Sequence, residues 1–391
     1  DTFWFSAVEA EVYASSSFFT AIVFWAILKW DEEHDQPFAN RWILLIAYLC
    51  GLSIGVHLLN LLAIPAIVLV YYYRKSTNPD WKGMLFALGI SFGFIVAIMY
   101  GFIPGIMAVA EKIELLFVNT LGFSFNSGLI FFIILLTVSL IWTIYETYVQ
   151  TNRTRVNISF LLSMFLMGIT SLTGNLWIGI ILSIVLGVGL FAFKRININI
   201  LHVFALAMAM IAIGFSSYAL IVVRSIANPP MDQNSPENVF TLASYLGREQ
   251  YGDRPLFYGQ YYNAPMDIEE KNGTYMYKTE EKGDIWNAKE KLHPDEPDQY
   301  IVTDKKVKYC YVDKFCTIFP RMYSGNGSHV NSYKQWVGEP EKKITYKTPE
   351  GEQTAYVPSF FQNVKFFVDY QFLYMYMRYF MWNFSGRQND I

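Results

Sequence analysis

Charge is what this chain has least of. Asp, Glu, Lys and Arg supply 16% of its 391 residues, against 53% hydrophobic and 18% aromatic residues. That is too little to cover an ordinary soluble protein of this length, so the composition points to an integral membrane protein. Neither sign prevails. A net charge of −3 without any basic tract offers nothing to neutralise phosphates, which argues against a nucleic-acid partner. Three cysteines are too few for a disulfide-built scaffold. Cys50 lies in an apolar run, whereas Cys310 and Cys316 form a C-x5-C pair in polar surroundings, compatible with a disulfide or with two thiols. No His stands at ligand spacing beside them, so no metal site is expected. A phosphate-binding glycine loop, a zinc motif and a serine nucleophile elbow are all missing. Asn272 and Asn326 lie in N-x-S/T sequons, which matter only where a glycosylation machinery is met.

The charge that is present is unevenly placed. Residues 1–224 hold 11 Lys+Arg and 11 Asp+Glu, leaving 19 and 22 for residues 225–391. This divides the chain into a transmembrane helical domain, 1–224, and a water-facing α+β domain, 225–358. An aromatic interfacial helix, 359–391, follows and leads on towards further chain. With no initiator Met and no signal-peptide pattern, the sequence reads as a piece of a longer protein.

Apolar runs place about eight spans at 14–30, 41–58, 59–73, 84–104, 129–149, 158–172, 176–193 and 200–223. Residues 105–128 break the pattern and read as a helix lying along the interface. Lys29, Arg41, Arg74, Lys75, Lys82, Arg153, Arg155, Lys194 and Arg195 fall in one alternate set of loops, and only Lys112 and Arg224 in the other. By the positive-inside rule the first set is cytoplasmic, which puts the amino end, His57 and everything after Arg224 outside. In the polar part, Ser235 and Pro236 predict a helix over 236–250 with Gly252 as terminator. ITYKTPEGEQTAYV reads as a hairpin. FFVDYQFLYMYMRYFMWNF, with Asp369 and Arg378 inside it, suits a membrane interface.

Two acids, Glu9 and Glu11, stand at the mouth of the first apolar span. Helical spacing lines up Glu9, Tyr13, Ser16 and Thr20 as a polar stripe. An ionisable group near bilayer depth usually faces a bundle interior or a water-filled cavity, which makes these carboxylates site candidates; the alternative is an interfacial pair in headgroup water. His57, with Asn60 one turn on, has the chemistry to bind a phosphate or position a hydroxyl, or else simply to cap a helix. Arg224, Arg248 and Arg254 are cations for an anionic headgroup, or ordinary surface arginines.

Five blocks carry a family resemblance: DTFWFSAVEAEVYA, GLSIGVHLLNLLAIPAI, NPPMDQNSPENVFTLASYLGREQYGDRPLFYGQYYNAP, FPRMYS and MYMRYFMWNFSGRQND. They resemble the bacterial membrane proteins of domain-of-unknown-function family 2723. More distantly, they resemble the protein O-mannosyltransferase-like proteins of glycosyltransferase family 117. The resemblance implies a GT-C fold, a multi-pass place in the bacterial inner membrane with the C-terminal domain on the periplasmic side, and a polyprenyl-phosphate-linked sugar as donor. It further implies mannose or a related hexose passing to Ser/Thr of exported polypeptides, with membrane lipid and that polypeptide as partners and any divalent metal left open. Its E-V-Y motif matches Glu11, Val12 and Tyr13, and its G-L-S…H block matches Gly51, Leu52, Ser53 and His57, so Glu11 is preferred to Glu9 as the base. His57 or Arg224 would bind phosphate, and Tyr13 and Asn60 would position donor or acceptor. The family also carries an acidic W-D-C-G-E-like block well upstream of this segment, so the resemblance implies that the main catalytic acid lies before residue 1 and that this piece, lacking it, is inactive alone, with Glu11 then a second acid that orients the acceptor. Two other classes stay open. A transporter or channel accommodates intramembrane acids equally well, although no repeat relates 1–110 to 111–224. An envelope-assembly scaffold would make the acids incidental.

Overall fold

Asx and Ser side chains mark most helix starts in this chain, each accepting a backbone N–H that the first turn leaves without a partner. Asp80 accepts from Gly83, Asn152 from Thr154 and Arg155, Asn197 from Asn199, Asn238 from Phe240 and Thr241, and Ser359 from Gln362. The computed structural model describes residues 12–385 except 172–173, 193–195, 253, 272 and 349–350. Its contacts divide the chain into two compact units, 1–250 with 287–301, and 251–286 with 302–391.

The first unit is a helix bundle. Its helices are α1 (Val12–Glu33), α2 (Arg41–Ile54), α3 (Ile64–Lys75, entered through a 3-10 turn, Leu58–Ala63), α4 (Trp81–Thr120) and α5 (Ser127–Val149). They are followed by α6 (Arg153–Leu166), α7 (Leu176–Ala192), α8 (Ile198–Ile226) and the short α9 (Val239–Leu246). Five of the described helical stretches are long and apolar enough to cross a membrane: 12–33, 58–75, 81–120, 127–149 and 198–226. Each of the eight expected spans overlaps a helix, but three of those helices are short and the one in 158–172 ends at Leu166. The helices α2 and α6 have 14 residues and α7 has 17, so at 1.5 Å per residue they reach about 21 to 26 Å against a hydrocarbon core of roughly 30 Å.

The expected interfacial helix over 105–128 is not a separate element. Helix α4, 40 residues in all, runs on through 105–120. Pro104 does not end the helix because the turn before it is π-helical: Ile103 N–H bonds Ile98 C=O, five residues back, which re-routes the ladder where proline lacks a donor. The periodicity weakens there because Gly105, Ile106, Met107, Val109, Ala110 and Glu114 are all buried, which needs a broader apolar face than one stripe.

Glycines set the closest approaches. A Cβ on Gly51 would lie 2.4 Å from Ile211 O, and one on Gly214 would lie 2.5 Å from Leu52 N, so α2 and α8 cross backbone to backbone. Gly105 and Gly168 meet in the same way, and Gly168 has φ +71°, open to glycine. Hydroxyls join α5 to α6: Ser139 and Thr143 each lie 2.8 Å from Ser163 Oγ, all three buried. Gly51→Leu is expected to destabilise the bundle by about 3 kcal/mol through overpacking. Gly189→Leu, with open space around its Cβ, should leave thermal unfolding in detergent unchanged, and equal melting of the two variants would refute the crossing.

The second unit is small and mixed α+β. The strands of the chain are β1 (Tyr258–Gln260), β2 (Ile268–Lys271), β3 (Thr274–Tyr277), β4 (Thr279–Ala288), β5 (Tyr300–Tyr309), β6 (Cys316–Ile318), β7 (Lys342–Thr348) and β8 (Gly351–Val357), all in the second unit but for the last two residues of β4 and the first two of β5. They pair as four two-stranded ladders, β1–β6, β2–β3, β4–β5 and β7–β8. The expected hairpin is β7–β8, registered from Lys342↔Val357 to Thr348↔Gly351. The expected helix over 236–250 is shorter and lies in the first unit as α9. Ser235 has φ +38°, which no helix start uses, and Asn238 takes the cap in a reciprocal box with Thr241. Tyr261, Phe315, Met322, Tyr333, Val357 and Phe366 form the core under α10 (Gly327–Val337) and α11 (360–385). Cys310 and Cys316 are free thiols. A π-helical stretch, Phe367–Met377, interrupts α11. Phe366, Tyr370 and Tyr374 stack in one row against Trp336, and Phe372, Tyr376 and Phe380 in another.

Candidate functional site

Three of the six candidate residues meet at one corner of the helix bundle. The chain leaves α2 at Ile54, turns through Gly55, and enters the 3-10 turn at His57, whose extended backbone makes it the cap: His57 Nδ1 accepts Leu59 N–H at 3.1 Å. Helix α1 packs against this turn and brings the Tyr13 ring to 6.1 Å from the imidazole, with Tyr13 57% exposed. Beneath them Asn60 is 1% exposed and donates through Nδ2 to Ser53 Oγ at 3.0 Å. Asn60 Oδ1 and the buried Ser16 Oγ have no hydrogen-bond partner among the described residues. Two orphaned buried acceptors are costly and usually mark a bound water, ion or ligand group.

Glu9 and Glu11 lie outside the described residues. Of the expected stripe, Ser16 is buried and Thr20 half-buried with its hydroxyl on Ser16 O, while Tyr13 is exposed. Arg224 is exposed near the end of α8, six residues beyond Tyr218, whose hydroxyl bonds Ile54 O at 2.8 Å. That bond places Arg224 at the end of the bundle that carries His57, about 9 Å further along the helix than Tyr218.

Sequence reasoning passed over a second polar cluster. Glu114, fully buried on α4, accepts Asn126 N–H at 2.6 Å, Leu129 N–H at 2.9 Å and the Tyr300 hydroxyl at 3.3 Å. Gly128 makes room for it, since a Cβ there would lie 2.5 Å from Glu114 Cα. Asn119 binds both main-chain groups of Tyr300 at 2.8 Å, and Asp298 accepts Phe125 N–H at 3.0 Å. Lys291 foremost, then that N–H, hold the Asp298 carboxyl below its usual range. Burial, then the neighbouring Glu114 carboxylate, push the Tyr300 phenol up, so it remains a donor at neutral pH. With its oxygens occupied by three donors, Glu114 caps α5 and fastens the 287–301 segment, and is not poised as a base. Glu146 plays a similar part at the other end of α5: it is 1% exposed and pairs with Arg155 at 2.5 Å and Trp142 Nε1 at 3.0 Å. Glu146 had a signal, a lone acid inside an apolar run, whereas Glu114 stands beside Glu111 and Lys112 and looks like part of a polar patch. No group of His, Cys, Asp and Glu suited to a metal occurs among the described residues.

Two stretches match protein families. Residues 1–80, which contain Tyr13, His57 and Asn60 but not Arg224, match the protein O-mannosyl-transferase TMEM260 N-terminal domain. Residues 252–368 match a family of unknown function, DUF8416, which is distinct from the family 2723 that the motifs resemble. No curated protein and no solved structure matches the chain.

Proposed function

We propose that the chain works as a membrane glycosyltransferase of the protein O-mannosyltransferase kind, GT-C in class, with the corner of Tyr13, His57 and Asn60 as part of its substrate site. One observation carries this reading: the 80 residues that match the O-mannosyltransferase domain are those that fold Tyr13 of α1 against His57 and leave buried acceptors beneath. The donor would be a polyprenyl-phosphate-linked mannose or related hexose held at the outer face, and the acceptor a Ser/Thr hydroxyl of an exported polypeptide. In the transfer step the acceptor oxygen bonds the anomeric carbon as the bond from that carbon to the phosphate oxygen breaks. The acceptor proton passes to a carboxylate, for which Glu11 stands first and Glu9 second, and polyprenyl phosphate leaves with the bonding pair. His57, whose Nδ1 is engaged with Leu59, retains Nε2 to donate to that phosphate, and Arg224 at the same end of the bundle supplies positive charge. Tyr13 flanks the sugar, while Asn60 Oδ1 and Ser16 Oγ accept from its hydroxyls or from a fixed water.

The test is transfer itself. The full-length protein in vesicles, supplied with a polyprenyl-phosphate hexose and a Ser/Thr-rich peptide, should yield a peptide heavier by one hexose. A peptide unmodified with every polyprenyl hexose offered, alongside uptake of solute into the same vesicles, would replace this reading with a transporter.

A further inference from the structure

The second unit holds a half-open cleft of about 280 Å³ that the transfer step does not use. Its walls include Asp267, Ile268, Tyr275, Val312, Tyr346 and Thr348. The floor is rigid: Asp267 N–H bonds Cys310 O at 2.8 Å, Lys278 N–H bonds Asp267 O at 2.9 Å, and Val312 N–H bonds Pro265 O at 3.2 Å. The far wall is equally fixed. Tyr346 stands edge-on to Phe315 at 5.0 Å and donates to Gln353 Oε1 at 3.2 Å, and Thr348 Oγ1 donates to Gly351 O at 2.9 Å. Such a site needs no ordering on binding.

We propose that this cleft binds a single neutral sugar ring. Its volume lies just below the roughly 300 to 1,000 Å³ of clefts that hold drug-sized ligands, a scale suited to one hexose. The chemistry selects among ligand classes. Asp267 lines the cleft and its negative charge disfavours phosphate or another anion, while Lys278, paired with it at 3.4 Å, offsets its pull on a cation. An extended peptide adding as a strand along the floor needs open main-chain groups there, and both main-chain groups of Asp267 and the Val312 N–H are already paired. A polyol suits both surfaces: its C–H face packs on the exposed Tyr275 ring, and its hydroxyls donate to Asp267, whose Oδ1 holds only Ile268 N–H at 3.1 Å. Hydrogen bonds to a carboxylate are the strong kind. The site stands apart from the transferase reading, since it would hold a sugar whether or not the helix bundle moves one.

Saturation-transfer NMR on the purified full chain, with methyl hexosides as probes and no lipid donor, tests this directly. At least one hexoside should bind with Kd of about 1 mM. Tyr275→Ala and Asp267→Asn should each weaken binding at least tenfold with unchanged thermal unfolding, while Glu11→Gln leaves it untouched. No transfer to any hexoside, binding that survives both cleft variants, or a Ser/Thr peptide that binds the cleft in preference to the sugars would each overturn the proposal.

Discussion

Glu11→Gln in the full-length protein lowers the rate constant of sugar transfer about 10²- to 10⁴-fold, the usual contribution of a general base, with little change in KM for the lipid donor. The amide keeps the shape of the carboxylate and its ability to accept a hydrogen bond, so the acceptor still docks, but it cannot take the proton as the new bond forms. His57→Ala gives the opposite split. Its Nε2 is assigned to the phosphate in ground state and transition state alike, so KM for the donor rises about tenfold with a smaller change in kcat. The two variants together separate proton removal from phosphate binding. Transfer at wild-type rates in Glu11→Gln removes that residue as the base and moves the question to Glu9→Gln and to an acid upstream of residue 1. Wild-type KM in His57→Ala would leave the imidazole with only the capping role its Nδ1 already performs.

How much of this was legible in the sequence follows from the range of the interactions concerned. Apolar run length is a local property, and each of the eight expected spans overlaps a helix. Whether a helix is long enough to cross alone depends on where caps fall, and Asn152 ends no apolar run yet fixes the start of α6. The continuation of α4 through 105–120 escaped because its burial comes from packing against α5, α9 and the Gly168 turn, the last two far away in sequence. His57 and Asn60 were found because they sit on one short turn beside α1. Glu114 was not, since its partners Asn126 and Leu129 lie at the start of the next helix, beyond a turn, and Tyr300 is 186 residues away. The two orphaned acceptors, Asn60 Oδ1 and Ser16 Oγ, exist only once α1 is packed on the 3-10 turn, and a sequence shows merely a Ser and an Asn in apolar surroundings.

Glu114→Ala tests the other buried acid, and its effect falls on folding rather than on the chemical step. The substitution strands two partly buried N–H groups, at Asn126 and Leu129, and the buried Tyr300 hydroxyl. Each costs about 1 to 3 kcal/mol when left without an acceptor. A loss of about 2 to 3 kcal/mol is therefore expected, since water can reach the Asn126 N–H, and this is a large share of the 5 to 15 kcal/mol typical of a domain. Glu114→Gln should fall between, because it keeps one oxygen but turns an NH₂ towards a donor. Tyr300→Phe removes a single bond and should cost about 1 kcal/mol. Its cost in the Glu114→Ala background should vanish, since the partners are then already parted. The pH dependence has a definite sign. Folding raises the Tyr300 pKa, so its contribution is complete below the ordinary phenol value of about 10 and is lost as pH climbs through the raised one. Tyr300→Phe should flatten that alkaline decline. Thermal unfolding in detergent, with amide exchange over 116–129 and 287–301, reads all of these. Unfolding of Glu114→Ala at the wild-type temperature would mean that this carboxylate does not hold α5 and the 287–301 segment together, and a base role for Glu114 would then have to be reconsidered.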